Sequence, residues 1–409
     1  MLRWIIFIVL YTALGLYALQ ALKTAVRYPW VYFTYIGIFL AVLLNFIYQF
    51  AWGEDAGQVL SRSKSYAFGF LLTIITFNVI TVIFLFSEDL FRFLTATYHK
   101  LFGVGKELGF PERRRFLSMV AMGVAAIPFG ALLYGMYRGK YNFRVLKYQL
   151  EFDDLPDAFD GYQITQISDI HSGSFDDREK IEYAIDLINE QKSDIILFTG
   201  DLVNNKAGEM APWKETFARL EAKEGKFSVL GNHDYGDYVD WETEELKARN
   251  LEELKELQRE IGFDLLLNES RYLKKGDDKI ALVGVENWGR GGFKKAGDLS
   301  KATEAISKDD FKVLMSHDPS HWEDVVIDDD YHYHLTLSGH THGMQFGIEI
   351  PGWVKWSPIK WRYKYWAGLY KEMGQYIIVN RGFGYLGYPG RVGIWPEITV
   401  VTLKKKPLT

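Results

Sequence analysis

No cysteine occurs in the 409 residues. That absence removes a thiolate nucleophile, a cysteine zinc site and every disulfide, so a metal would have to be held by His, Asp, Glu or Asn. An excess of positive charge is missing as well: 47 Lys and Arg stand against 52 Asp and Glu, a formal net charge of −5. A strongly basic nucleic-acid binder is thereby excluded. With 48% hydrophobic residues the chain is too apolar for a disordered protein, and no internal repeat or low-complexity tract stands out. The length allows two or three domains.

What is present divides unevenly. Residues 1–140 carry 13 Lys/Arg and 6 Asp/Glu, a net of +7, whereas residues 141–409 carry 34 and 46, a net of −12. The first part holds four apolar stretches, at about 4–22, 30–52, 66–87 and 116–137, and about 20 such residues in a helix cross a bilayer. Ile5–Leu10 and Phe68–Phe86 lack the polar stripe of a buried soluble helix. The polar residues inside, Asn45 and Asn78 among them, are uncharged, which points to an anchor rather than a transporter. Leu90, Phe93, Leu94, Tyr98, Leu101 and Phe102 recur at helical spacing, predicting an interfacial helix over 88–103 that continues span three.

Lys and Arg near the span ends number 8 on one side and 7 on the other, so the charge count alone barely orients the spans. Arg113-Arg114-Arg115 before an apolar run matches either a twin-arginine export signal or ordinary stop-transfer arginines. Both place that end in the cytoplasm. The expectation is a multi-pass cell-membrane protein with residues 141–409 extracytoplasmic.

After Tyr141, β-rich runs alternate with helical stretches. Strands are expected at Gln163–Ile167, Ile195–Phe198, Lys226–Leu230, 280–285, 312–315, 333–337, 376–380 and 397–403, with helices over Asp177–Gln191 and Glu242–Ile261. This interleaving implies a layered α/β fold with ligand groups on the loops leaving the strand ends. Asp169-x-His171, Gly200-Asp201, Gly231-Asn232-His233-Asp234, Ser316-His317-Asp318 and Gly339-His340-Thr341-His342-Gly343 each follow such a run, and they hold five of the nine histidines. Imidazole nitrogen mixed with carboxylate and carbonyl oxygen suits divalent metals. Strand alternation would turn Asp169 and His171 to one side, and likewise His340 and His342. One such pair alone is more often a hydrogen-bonded pair; five motifs in order form a metal-site framework.

This ordered set resembles the calcineurin-like metallophosphoesterase superfamily, and more narrowly its bacterial membrane-linked phosphodiesterase branch that includes YaeI and YkuE. The resemblance covers about residues 142–403 and extends to Leu155-Pro156, Ser168, Val379-Asn380-Arg381-Gly382-Phe383-Gly384, Arg391 and Pro396-Glu397-Ile398. It implies a layered β-sandwich flanked by helices over residues 141–409, joined to an anchor of four transmembrane helices over 1–140. It further implies two divalent ions (Mn, Fe or Zn), one on Asp169, His171 and His342, the other on Asn232, His317 and His340, with Asp201 bridging. His233 would contact the phosphoryl oxygen or protonate the leaving group, and Asp234 would either orient it or cap the turn that follows. Two positions depart from the pattern: Asn204 stands where many relatives have Asp, and Met344 where a second glycine is common. His321 is expected near the site; His99, His332 and His334 are expected as hydrogen-bonded or surface residues.

Beyond the last motif, Trp353, Trp356, Trp361 and Trp366 interleave with Lys355, Lys360, Arg362 and Lys364. Indole and cation together suit a lipid headgroup layer, which suggests a lid dipping into the bilayer. Trp353, Lys355, Trp356 and Arg381 are the expected substrate contacts. Single-stranded nucleic acid also suits such a tract, but the net −12 of this part argues against it. The expected activity is hydrolysis of a phosphodiester or pyrophosphate bond in a lipid-linked substrate. A phosphodiesterase on soluble nucleotides and a non-catalytic metal-binding scaffold are the alternatives.

Overall fold

The computed structural model describes residues 2–53, 61–102, 111–350 and 352–407. Two units divide the chain, one ending at Tyr137 and one beginning at Arg138. The first comprises α1 (Leu2–Ala25), α2 (Pro29–Ala51), α3 (Arg62–Phe102) and α4 (Pro111–Tyr137). All four are long and apolar enough to cross a membrane. Pro29 opens α2 where a missing backbone donor is harmless. Asn78 lies inside α3 with its Oδ1 accepting from Tyr35 Oη at 2.9 Å, so this polar group joins helices.

α3 runs unbroken for 41 residues. At 1.5 Å per residue it measures about 61 Å, twice the hydrocarbon thickness of a bilayer. The stretch 88–102 is helical and continues span three as expected, because neither glycine nor proline interrupts 87–102; residue 103 lies outside the described residues. Two members of the arginine triplet tie α4 to α3, Arg113 to Glu88 at 3.2 Å and Arg114 to Asp89 at 3.1 Å.

The second unit is built on two six-stranded sheets. In chain order its strands are β1 (Arg144–Phe152), β2 (Gln163–Ile167), β3 (Ile195–Phe198), β4 (Gly225–Ser228), β5 (Phe263–Leu265), β6 (Glu269–Lys275) and β7 (Asp278–Gly284). They continue with β8 (Lys312–Met315), β9 (Leu335–Ser338), β10 (Ile348–Ile350), β11 (Val354–Trp356), β12 (Gly368–Glu372), β13 (Gln375–Val379) and β14 (Glu397–Lys405). The sheet orders are β1-β14-β2-β3-β4-β5 and β12-β13-β9-β8-β7-β6, and β10-β11 is a separate hairpin. Strands β2 to β5 are mutually parallel, as are β7, β8, β9 and β13.

β3, β8 and β9 are buried along their whole length, which is why they read as short continuous apolar runs. Ile164, Ile195 and Leu197 of one sheet pack against Ile280, Leu282, Val313 and Leu335 of the other, forming the inner core. Outer clusters lie under the helices, with Ile181, Ile185 and Leu254 covering the first sheet. The arrangement is the layered sandwich flanked by helices that the sequence implied. Strands β1, β5, β6, β10, β11 and β12 were not expected. β6 is the clearest case: at a sheet edge, Glu-Ser-Arg-Tyr-Leu-Lys-Lys buries only one residue and so carries little apolar signal.

Candidate metal centre

Parallel strands bring their carboxyl ends to one edge, and the loops leaving them carry the site. Asp169 and His171 follow β2, Asp201 follows β3, Asn232 and His233 follow β4, His317 follows β8, and His340 and His342 follow β9. The expected reason for convergence was strand alternation, and this is not how it is achieved. None of Asp169, His171, His340 and His342 belongs to a strand. With Asp201 they adopt left-handed backbone, at φ of 53°, 49°, 70°, 50° and 62° for Asp169, His171, His340, His342 and Asp201. Left-handed turns coil the chain back over the sheet edge, at a cost of about 1–2 kcal/mol for each side chain that adopts them. The turns also crowd. A side chain at Gly339 would collide with Ser168 Oγ and Asp169 Oδ2, and one at Gly231 with Asp201 Oδ1.

Two groups of possible ligands result, Asp169 with His171 and His342, and Asp201 with His317 and His340. In the first, His171 Nε2 lies 3.0 Å from His342 Nε2, which is 3.2 Å from Asp169 Oδ1. In the second, His340 Nδ1 lies 2.8 Å from Asn232 Oδ1 and 3.3 Å from His317 Nε2. Asp201 Oδ2 stands between them, 3.2 Å from His317 Nε2 and 3.6 Å from His171 Nε2. Atoms bound about 2.1 Å from one cation, at right angles, are about 3.0 Å apart, so these spacings are those of shared-cation edges. Nitrogen and oxygen atoms gathered this closely in a buried site suit divalent cations.

Neighbouring groups fix each donor. Thr199 O accepts from His317 Nδ1 at 2.7 Å, which leaves Nε2 for a ligand role. Tyr238 Oη accepts from Asn232 Nδ2 at 2.8 Å and turns Oδ1 inward. Tyr363 Oη is 2.8 Å from His340 Nε2, and Arg391 Nη2 is 3.2 Å from His342 Nδ1. The His233 backbone donates to Asp201 Oδ1 at 2.8 Å, so only Oδ2 of that carboxylate points between the groups.

Burial raises the cost of charge throughout. It would lift Asp201, but the imidazoles of His317 and His233 hold its carboxyl well below the usual range. Burial likewise pulls His317 down, and Asp201 more than reverses this, to about 10.

Asp234 serves neither as a ligand nor as an orienter of His233. Its carboxylate accepts from Gly231 N at 2.8 Å, Asp201 N at 2.9 Å and Leu202 N at 2.8 Å, so it clamps two ligand loops together. Burial and the charge of Asp201 push it up to about 7. His233 Nδ1 is instead 2.7 Å from the backbone carbonyl of Asn204. That contact needs no carboxylate, and it explains why asparagine is tolerated at 204. His321 is buried, 2.9 Å from Ser316 Oγ, and His334 pairs with Asp154 at 2.7 Å.

A cleft of ≈ 210 Å³ opens over the ligands, walled by His233, Phe293, Ile359, Arg362, Tyr363 and Leu386. Of the expected substrate contacts, none lines it. Trp353 sits at the tip of the β10–β11 hairpin, 80% exposed, and Trp356 is half-buried against Trp361. Lys355 Nζ donates to Ala367 O. Arg381 is buried and bonded to Glu397 and Glu349, each at 2.5 Å. Phe293, Tyr238 and Tyr363 carried no sequence signal as site residues, whereas Arg362 belonged to the recognised Trp/Lys tract.

A profile described as calcineurin-like phosphoesterase matches residues 162–344, and one described as probable calcineurin-like phosphoesterase, transmembrane domain, matches residues 2–140. The chain belongs to the calcineurin-like phosphoesterase family. A Bacillus subtilis protein named uncharacterized metallophosphoesterase YkuE is 31% identical over 72% of the chain and 98% of the relative. An Aquifex aeolicus uncharacterized metallophosphoesterase is 28% identical over 68% of the chain and 99% of its own length. A Danio rerio transmembrane protein with metallophosphoesterase domain is 25% identical over 72% of the chain, which spans only 63% of that longer relative. The phosphoesterase is thus a metal-dependent hydrolase that spans the membrane.

The second departure also has a structural consequence. Met344, at the second departure from the resembled pattern, has φ 56° and is 56% exposed. Met344→Gly is expected to stabilise the phosphoesterase by about 1 kcal/mol, since only the backbone strain is relieved. Thermal unfolding and metal analysis check this: the midpoint should rise with metal content unchanged.

Proposed function

We propose that residues 141–409 hydrolyse a phosphodiester or pyrophosphate bond of a lipid-linked substrate at a centre of two divalent cations, with residues 1–140 as the anchor. The observation that carries this reading is Asp201 Oδ2, a single carboxylate oxygen within 3.6 Å of an imidazole from each ligand group. Asp169, His171 and His342 would hold one cation, Asn232, His317 and His340 the other, with Asp201 shared. Mn, Fe and Zn all suit this mixture of nitrogen and oxygen. Cations so placed supply Lewis acidity towards a phosphoryl oxygen and lower the pKa of water.

The chain's own residues do the rest. His233 lines the cleft with Nδ1 held by Asn204 O, so Nε2 is the atom left to exchange a proton with the leaving group. Phe293, Ile359 and Leu386 keep the cleft apolar around the reacting group.

The β10–β11 hairpin supports a lipid-linked substrate. Ile348, Ile350, Trp353 and Trp361 are exposed along it and just beyond it, beside Lys355 and Lys360, a composition that suits a headgroup layer. Its base leads directly into Ile359, Arg362 and Tyr363 of the cleft wall. Arg113–Arg115 at the start of α4 support a cytoplasmic start and an extracytoplasmic hydrolase.

Purified protein with Mn²⁺ is expected to hydrolyse bis-p-nitrophenyl phosphate. Asp201→Ala should abolish metal binding and turnover together, whereas His233→Ala should keep both metals and lose about 10²–10⁴ in rate. Full turnover by Asp201→Ala would overturn the shared-cation centre. Replacing Trp353 and Trp361 with Ala should cost at least about tenfold on micellar lipid phosphates, from lost interfacial burial, and less on the soluble ester. Equal effects on both substrates would count against the hairpin's role. Protease added to intact spheroplasts should digest the hydrolase; protection would place it in the cytoplasm.

A further inference from the structure

Of the cations in the Trp/Lys tract, only Arg362 reaches the cleft. Lys364 is paired with Glu372 at 2.9 Å, Lys355 is spent on Ala367 O, and Lys360 does not line the cleft. Among the described residues Arg362 is also the sole Lys or Arg in the cleft wall. Its guanidinium lies 5.2 Å from the ring centroid of Phe293 and 5.6 Å from that of Tyr363. Flanked by these rings and in polar contact with the Tyr363 hydroxyl, the guanidinium keeps further N–H groups, the part that recognises phosphate in a fork geometry. No carboxylate ion-pairs with Arg362 among the described residues, in contrast to Arg381 with its two glutamates.

The position of the side chain relative to the chemistry is also informative. Tyr363, next in the chain, touches His340 through its hydroxyl at 2.8 Å. Phe293, on which Arg362 lies, packs edge-on against His340 with ring centroids 4.8 Å apart. Arg362 therefore stands one ring outward of His340, beside the candidate ligands rather than among them.

We infer that Arg362 is a specificity residue that binds a second phosphoryl group next to the one at the centre, so that the preferred substrate is a pyrophosphate diester. The inference rests on the phosphoesterase reading above and narrows its substrate class. In the reaction, water oxygen bonds to one phosphorus and the P–O–P bridge breaks. The two water protons pass to the medium and to the departing phosphate, which Arg362 holds until release.

The test is the inhibition of bis-p-nitrophenyl phosphate turnover by UDP and by UMP, in the Mn²⁺-loaded full chain. Metal chelation by UDP enters wild type and variant alike, so the ratio of the two inhibition constants isolates the second phosphoryl group. In Arg362→Met the preference for UDP over UMP should fall about tenfold, the worth of a charge-assisted contact, and in Arg362→Lys by less. If Arg362→Met turns over too slowly to assay, calorimetric titration of the loaded variant with UDP and UMP yields the same ratio. An unchanged ratio, or equal weakening of UMP and UDP, would overturn the role of Arg362. Absence of ester turnover in the wild type would instead overturn the hydrolytic reading on which it rests.

Discussion

Asp169 and Asp201 have almost no access to water, and around them four histidines and an asparagine bring nitrogen and oxygen atoms to within about 3 Å of one another. So many buried donor atoms and two carboxylates are stable together only with positive charge among them. The surrounding protein is organised to bear that load. Two sheets with parallel central strands hold the loop origins rigid, five left-handed residues turn the ligands inward, and Asp234 locks the loops of Asp201 and Asn232 together with three backbone donors. Glycine at 231 and 339 lets the loops pass at van der Waals contact. The strain in these turns is local, and it is borne where a bound cation would repay it.

Much of this was legible from residue order alone. Five short apolar runs each ending in a ligand-bearing loop reveal both the parallel strands and the residues they present. What alternation could not reveal was the means of convergence, because positive φ at Asp, His and Met leaves no mark on composition. Asp234 illustrates the same limit. Next to a histidine, a carboxylate reads as its partner, yet its neighbours across the fold are the backbone donors of another loop. Edge strands such as β6 escaped notice for a simpler reason: half of their surface faces water, so their side chains are polar. The tract after His342 was recognised as distinctive, but which of its cations met the cleft depended on a hairpin and a short 3₁₀ turn at Pro358–Trp361.

The helices obey a different chemistry from the sheets. Apolar all round, they bury little against one another within their own unit, and a lipid environment supplies the contacts that protein supplies elsewhere. Glu88 and Asp89, well inside α3, neutralise two arginines at the start of α4. That pairing gives the arginine triplet a structural duty besides any role in orientation.

Arg381 is bonded at once to Glu349 of β10 and to Glu397 of β14, and so rivets the hairpin to a central strand through a nearly dry guanidinium. Swinging the hairpin away would cost the charge-assisted bonds to Glu349, about 1.5–3 kcal/mol, although Glu397 would still pair the guanidinium. The rim of the cleft is then a fixed port rather than a flap. A substrate entering the cleft would then meet a stationary edge, with access set by the fixed shape of the rim rather than by an opening motion of the protein.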